Sequence, residues 1–104
     1  MIIVRIHPRC KRFIENLPEL IKGHVRESIH LLRIYGYQLS MPQTKKVAGN
    51  LYELRVGGKL HVRLFYSFVN REACLIHGFI KRSNKIPSKE LKIARQRLKL
   101  LTDK

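Results

Sequence analysis

The sequence predicts a single α+β domain over residues 1–104, an antiparallel sheet of about four strands with an N-terminal helical hairpin and a C-terminal helix. Three observations predict it. Apolar residues recur at helical spacing from Pro8 to Ile34, three strand-like runs divided by short turns fill residues 51–80, and a second helical stripe runs from Pro87 to Leu101. No repeat and no linker interrupts that order.

Each element has a local cause. Met1–Ile6 reads as a short strand that ends at His7-Pro8, because proline restricts the backbone of the residue before it. Pro8 suits the first turn of a short helix carrying Cys10, Phe13, Ile14 and Leu17. Pro18 opens a longer helix with Leu20, Ile21, Val25, Ile29, Leu32 and Ile34, and Gly36 stops it. From Gln38 to Asn50 the periodicity disappears, and Met41-Pro42, Lys45-Lys46 and Gly49-Asn50 mark a basic loop. Leu51–Val56 is the next strand, with Gly57-Gly58 turning the chain into Leu60–Phe68. Asn70-Arg71-Glu72 turns it again into Ala73–Ile80, which is rich in strand-compatible residues. In the last helix Leu91, Ala94, Leu98 and Leu101 share a stripe, and Lys89, Lys92, Arg95, Arg97 and Lys99 cover the other faces. The sheet is expected to carry its helices on one face.

Charge is the dominant compositional feature. Lysine and arginine number 22 against 7 acidic residues, for a formal +15. Such an excess opposes the compact state by self-repulsion and points to an anionic partner, nucleic acid first, since neutralised phosphates release condensed counterions. No apolar run approaches the ~18 residues needed to span a bilayer, and the first residues do not read as a signal peptide. Cys10 and Cys74 stand far apart without a CxxC or a paired-histidine spacing. The expected protein is therefore cytoplasmic, with reduced thiols and no metal.

The residues that carry chemistry follow from strand alternation, which puts side chains two apart on one face. Glu53 and Arg55 project together, and the Gly57-Gly58 hairpin brings Arg55 close to Arg63. Lys81 and Arg82 mark where the last strand leaves the core. A face bearing these four cations suits successive phosphates and charge developing on one of them; ordinary strand amphipathicity with solvated cations explains the same spacing. Glu53 reads as a general base or as a salt-bridge partner of Arg55 or Arg63. His77 reads as a proton carrier or as a half-buried strand histidine, whereas His61 lies near the hairpin turn, exposed. Tyr52, Phe65, Tyr66 and Phe79 are stacking candidates, although strand aromatics more often fill cores. Lys45, Lys46, Lys59 and Lys85 are the expected RNA-contacting lysines, in a weak, sequence-tolerant role.

Across about half the chain these patterns fall into a familiar order. Leu51-Tyr52-Glu53-Leu54-Arg55, then Arg63-Leu64-Phe65-Tyr66, then His77-Gly78-Phe79-Ile80-Lys81-Arg82 are followed by Pro87-x-x-Glu90 and Ala94-x-x-Arg97. This series resembles the C-terminal half of RelE/HigB-type toxins of type II toxin–antitoxin systems, the phage-related HigB-like branch in particular. The resemblance implies a RelE-like fold, mRNA cleavage in the ribosomal decoding site without a metal or cofactor, and neutralisation by a cognate antitoxin, often of helix-turn-helix type. It implies attack of a ribose 2′-hydroxyl on the adjacent phosphate, with Arg55 and Arg63 stabilising the transition state and Lys81 and Arg82 as further active-site cations. Glu53 and His77 would be the proton-transfer candidates. Three departures stand out. Some relatives carry lysine at the place of Glu53, and some use a tyrosine near the last helix, whereas no tyrosine follows Tyr66 here. Ile86 stands where a threonine often precedes the helix-opening proline, leaving Ser88 as the expected cap. The alternative function is a non-catalytic basic protein that binds RNA or the ribosome on the same fold.

Overall fold

Two prolines and a glycine set the helical hairpin. In the computed structural model, which describes residues 1–102, Pro8 stands at the first position of α1 (Pro8–Glu15) and Pro18 directly precedes α2 (Glu19–Tyr35). Asp103 and Lys104, which belong to the expected domain span, lie outside the described residues. Gly36 ends α2 in the left-handed conformation at φ 51°, its N–H bonded to the Leu32 carbonyl. The third helix, α3, runs Ser88–Thr102. The Pro87 carbonyl accepts from the Glu90 and Leu91 N–H groups, so Ser88 is the first helical residue rather than its cap.

The strands are β1 (Val4–Ile6), β2 (Thr44–Ala48), β3 (Leu51–Arg55), β4 (Val62–Val69) and β5 (Glu72–Ile80). They form one sheet in the order β1-β5-β4-β3-β2. The α+β class, the helical hairpin and the C-terminal helix match expectation. The sheet differs in two ways. It has five strands, because the stretch read as a basic loop contains β2, and it is mixed, because β1 runs parallel to β5. β2 escapes a pattern reading because it is an edge strand that buries a polar residue: the Thr44 hydroxyl bonds the Glu53 carbonyl at 2.9 Å and the Tyr66 hydroxyl at 2.7 Å. Its next two residues are exposed lysines, as suits a sheet edge.

Helices cover both faces, not one. On one face α1 and α2 bury Cys10, Ile21, Val25 and Leu32 against Leu54, Leu64, Tyr66 and Leu75. On the other, α3 lays Leu91, Ala94 and Leu98 on Phe65, Cys74, Ile76 and Phe79. The cause is visible in β4 and β5, whose near-continuous apolar runs leave two faces to be removed from water. In α2 the expected apolar face is narrower than its sequence, with Leu20 75% exposed. The proposed aromatic stackers are mostly core: Phe65, Tyr66 and Phe79 are buried, and Tyr52 stacks on Tyr66 with centroids 5.3 Å apart.

β5 breaks the alternation that its sequence suggests. A bulge sets Phe65 opposite His77 but Tyr66 opposite Leu75, so Ile76 is an extra residue and joins His77 on the α3 side. Gly78 sits just beyond it, and a Cβ there would press on the Phe13 ring and come within 2.9 Å of Leu64 Cδ2. Gly78→Ala is accordingly expected to lower unfolding free energy by about 1–3 kcal/mol, as overpacked cores do, read as a shifted urea midpoint at unchanged slope.

Candidate functional site

The α3 side of the sheet is only partly covered, because α3 packs chiefly on β5 and β4 and buries the Leu51 end of β3, leaving the Arg55 end half-exposed. That end carries the cations. Arg55 and Arg63 stand directly opposite each other across β3 and β4, as do Glu53 and Phe65 one alternation earlier. Glu53 is 1% exposed, Arg63 14% and Arg55 29%. The Arg55 Nε donates to Glu53 Oε1 at 3.2 Å, while the Arg63 Nε lies 3.9 Å from the same oxygen, an ion pair without a hydrogen bond. Glu53 Oε2 and Arg63 Nε therefore lack hydrogen-bond partners among the described residues.

The group carries one net positive charge, two guanidiniums around one carboxylate, and its electrostatics are unbalanced at Arg63. Burial pulls the Arg63 pKa below its ordinary value, Glu53 opposes that shift and Arg55 reinforces it. Its Nη1 donates to the Val62 carbonyl at 3.1 Å, which fixes the side chain along the strand. A buried donor left without an acceptor is costly, so an anion offered to this edge of Arg63 has much to gain.

Arg63 also lines a cleft of about 260 Å³ together with His61, Lys81, Arg82, Ser83 and Asn84. The cleft forms because β4 and β5 pair antiparallel up to Val62 and Ile80, which brings the residue before one strand against the residues after the other. The Lys81 N–H donates to the His61 carbonyl at 3.0 Å and closes this end of the sheet. Arg55, Arg63, Lys81 and Arg82 thus form one cationic surface with Arg63 at its junction. Sequence reasoning missed His61, Ser83 and Asn84 as lining residues; the flank positions of two paired strands were the available signal.

The other nominated residues are divided by the sheet. Lys45 pairs with Glu53 and so shares the cationic face, whereas Lys46 pairs with Tyr52 and holds its ammonium 6.0 Å from that ring on the opposite face. Lys59, before His61, and Lys85, after Asn84, are exposed in the two segments that flank the cleft.

His77 lies under α3, with its Nε2 2.8 Å from Glu90 Oε1 and its Nδ1 3.2 Å from Arg97 Nη1. Arginine only donates, so Nδ1 accepts and the proton sits on Nε2, facing Glu90. Arg97 also donates to the Ile76 carbonyl at 3.0 Å, pinning the bulge to α3. Close by, His7 accepts the Arg9 N–H on its Nδ1 and caps α1. Burial first, then Arg97, Arg9 and His77, hold the His7 pKa below 6.5. The unfolded chain then takes up a proton that the folded chain resists. The cap's contribution is therefore complete above that ordinary value and lost as the pH falls through the lowered one. Chemical denaturation between about pH 7 and 5 is expected to show stability falling on acidification, with a shallower slope in His7→Asn, which caps without titrating.

Cys10 and Cys74 are free and buried, and burial pushes the Cys10 thiol up to about 12. Among the described residues no three histidine, cysteine or acidic side chains gather as a metal site would need. No helix among them is long and apolar enough to cross a membrane.

Residues 12–99 match the family model described as Phage derived protein Gp49-like (DUF891). The chain belongs to that Gp49-like family. This family is often associated with toxin–antitoxin modules. The Gp49-like match takes in both arginines of the site, the cleft-lining segment and most of α3. A comparison with curated proteins finds no match.

Proposed function

We propose that the chain is the toxin of a type II toxin–antitoxin pair, RelE/HigB-like in action, and that it cleaves mRNA on the ribosome in the cytoplasm. The observation that carries this reading is the junction at Arg63, a half-desolvated guanidinium opposite Arg55 that opens into a cleft lined by Lys81 and Arg82. Membership of a family associated with toxin–antitoxin modules supports it.

In the reaction the ribose 2′-hydroxyl attacks the adjacent phosphorus and the bond to the 5′-oxygen breaks. The products are a 2′,3′-cyclic phosphate and a 5′-hydroxyl. Arg55 and Arg63 bind the scissile phosphate and offset the charge that grows on its oxygens, which is worth most where water is thinned. Lys81 and Arg82 hold the neighbouring phosphate, and Lys45, Lys59 and Lys85 add sequence-tolerant contacts. Glu53 acts as a positioning residue, since its buried carboxylate fixes both guanidiniums. His77 has both ring nitrogens engaged and anchors α3 to the bulge. The partner that silences the surface is a cognate antitoxin of helix-turn-helix type.

Primer extension on a defined mRNA in a reconstituted translation system tests the reading. Cuts that appear only when ribosomes are present are expected. The second reading, a basic protein that binds RNA or the ribosome without cutting, draws on the absence of any tyrosine after Tyr66. It is selected if the protein sediments with ribosomes and every transcript stays whole.

A further inference from the structure

Of the five histidines, His61 alone lines the cationic cleft. It is exposed, and its ring makes no hydrogen bond to the other described residues. His77, by contrast, is held by Glu90 and Arg97, and His7 caps α1. The backbone of His61 is left-handed, at φ 53°, immediately before β4. A non-glycine residue in that region is uncommon and costs free energy, and such positions concentrate at functional sites. Here the conformation is fixed from outside, because the His61 carbonyl accepts the Lys81 N–H across the end of the sheet.

The groups that face His61 are Arg63 from β4 and Lys81 and Arg82 from the segment after β5, with Ser83 and Asn84 completing the wall. Among the described residues no carboxylate lines the cleft. The three cations draw in a phosphate, and imidazole is the lining group suited to taking up a proton near neutrality.

We infer that His61 is the catalytic base of this site, taking the proton from the ribose 2′-hydroxyl beside an RNA phosphodiester bound at Arg63, with Lys81 and Arg82 on the neighbouring phosphate. The inference rests on the nuclease reading above. As the 2′-oxygen bonds to phosphorus its proton passes to the imidazole. The bond from phosphorus to the 5′-oxygen breaks, that oxygen takes a proton from water, and the imidazolium returns its proton to solvent.

The test is the single-turnover cleavage rate of ribosome-bound mRNA, measured across about pH 5 to 8 for the unmodified protein, His61→Asn and His77→Asn. Asparagine tolerates the left-handed backbone and does not titrate, so the first variant keeps its fold. Ratios of unmodified to variant rates cancel the pH response of the ribosome. The ratio to His61→Asn is expected to reach about 10²–10³ and to rise with pH before levelling, as loss of a general base requires. The ratio to His77→Asn is expected to stay flat with pH. In His61→Gly, equally at ease at this φ, added imidazole is expected to restore cleavage, and it is not expected to restore Arg63→Ala. A pH-independent ratio for His61→Asn, or no rescue of His61→Gly, overturns the assignment while cleavage by the unmodified protein leaves the nuclease reading standing. Absence of cleavage by the unmodified protein overturns both.

Discussion

Arg63→Ala is expected to cut translation-dependent mRNA cleavage by about 10²–10³-fold, the usual cost of losing one preorganised donor at a site of developing charge. Arg63 joins the Glu53 group to the cleft, and its Nε is buried without an acceptor among the described residues. The variant is expected to remain folded, because Glu53 keeps the Arg55 Nε at 3.2 Å and the apolar contacts of β4 are untouched. Arg63→Lys is expected to recover little, since an ammonium supplies charge without the planar fork that grips phosphate oxygens. Primer extension gives the rate and a thermal melt confirms the fold. A rate within about threefold of the unmodified protein would remove Arg63 from the chemistry.

Glu53→Ala carries the second large effect, on stability. It leaves two guanidiniums opposite each other with nothing between them, one at 14% exposure. Stripping one side of a buried ion pair costs about 3–5 kcal/mol; here about 2–4 kcal/mol is expected, because Arg55 is 29% exposed and recovers some hydration. Glu53→Gln retains an acceptor for the Arg55 Nε and should lose about half as much. Combining Glu53→Ala with Arg55→Ala should be milder than the sum of the two single changes, as in any pair that shares a contact. Urea unfolding of the four proteins measures the cycle. An additive result would mean that the carboxylate does not hold the arginines in place.

The sequence made some of this site legible for a simple reason. Strand alternation is strict in β3 and β4 and the Gly57-Gly58 turn limits how they pair, so the residues alone place Arg55 near Arg63, and the two stand directly opposite. The same rule failed in β5. Ala73–Ile76 is apolar throughout, so nothing in the residues marks the extra one, and the bulge at Ile76 is stabilised by Arg97 from twenty-one positions away. β2 was illegible for the opposite reason, since Thr44, Lys45 and Lys46 present no apolar face and the buried hydroxyl of Thr44 finds its partners only in the folded sheet. The parallel direction of β1 depends on where the helical hairpin returns the chain, which short-range patterns do not encode. The sequence places His61 near the hairpin turn and exposed, as it is, but its place in the cleft is built by contacts across the sheet end, between residues twenty apart.

The proposed role of the Arg55–Arg63 face is to cut RNA by attack of the RNA's own 2′-hydroxyl. The most direct measurement is the chemical identity of the new ends, by mass spectrometry of a short ribosome-bound mRNA after exposure to the protein. A 2′,3′-cyclic phosphate or its hydrolysed phosphate on the upstream fragment, with a 5′-hydroxyl downstream, is the predicted result. A 3′-hydroxyl with a 5′-phosphate, or an mRNA that stays intact, would contradict it.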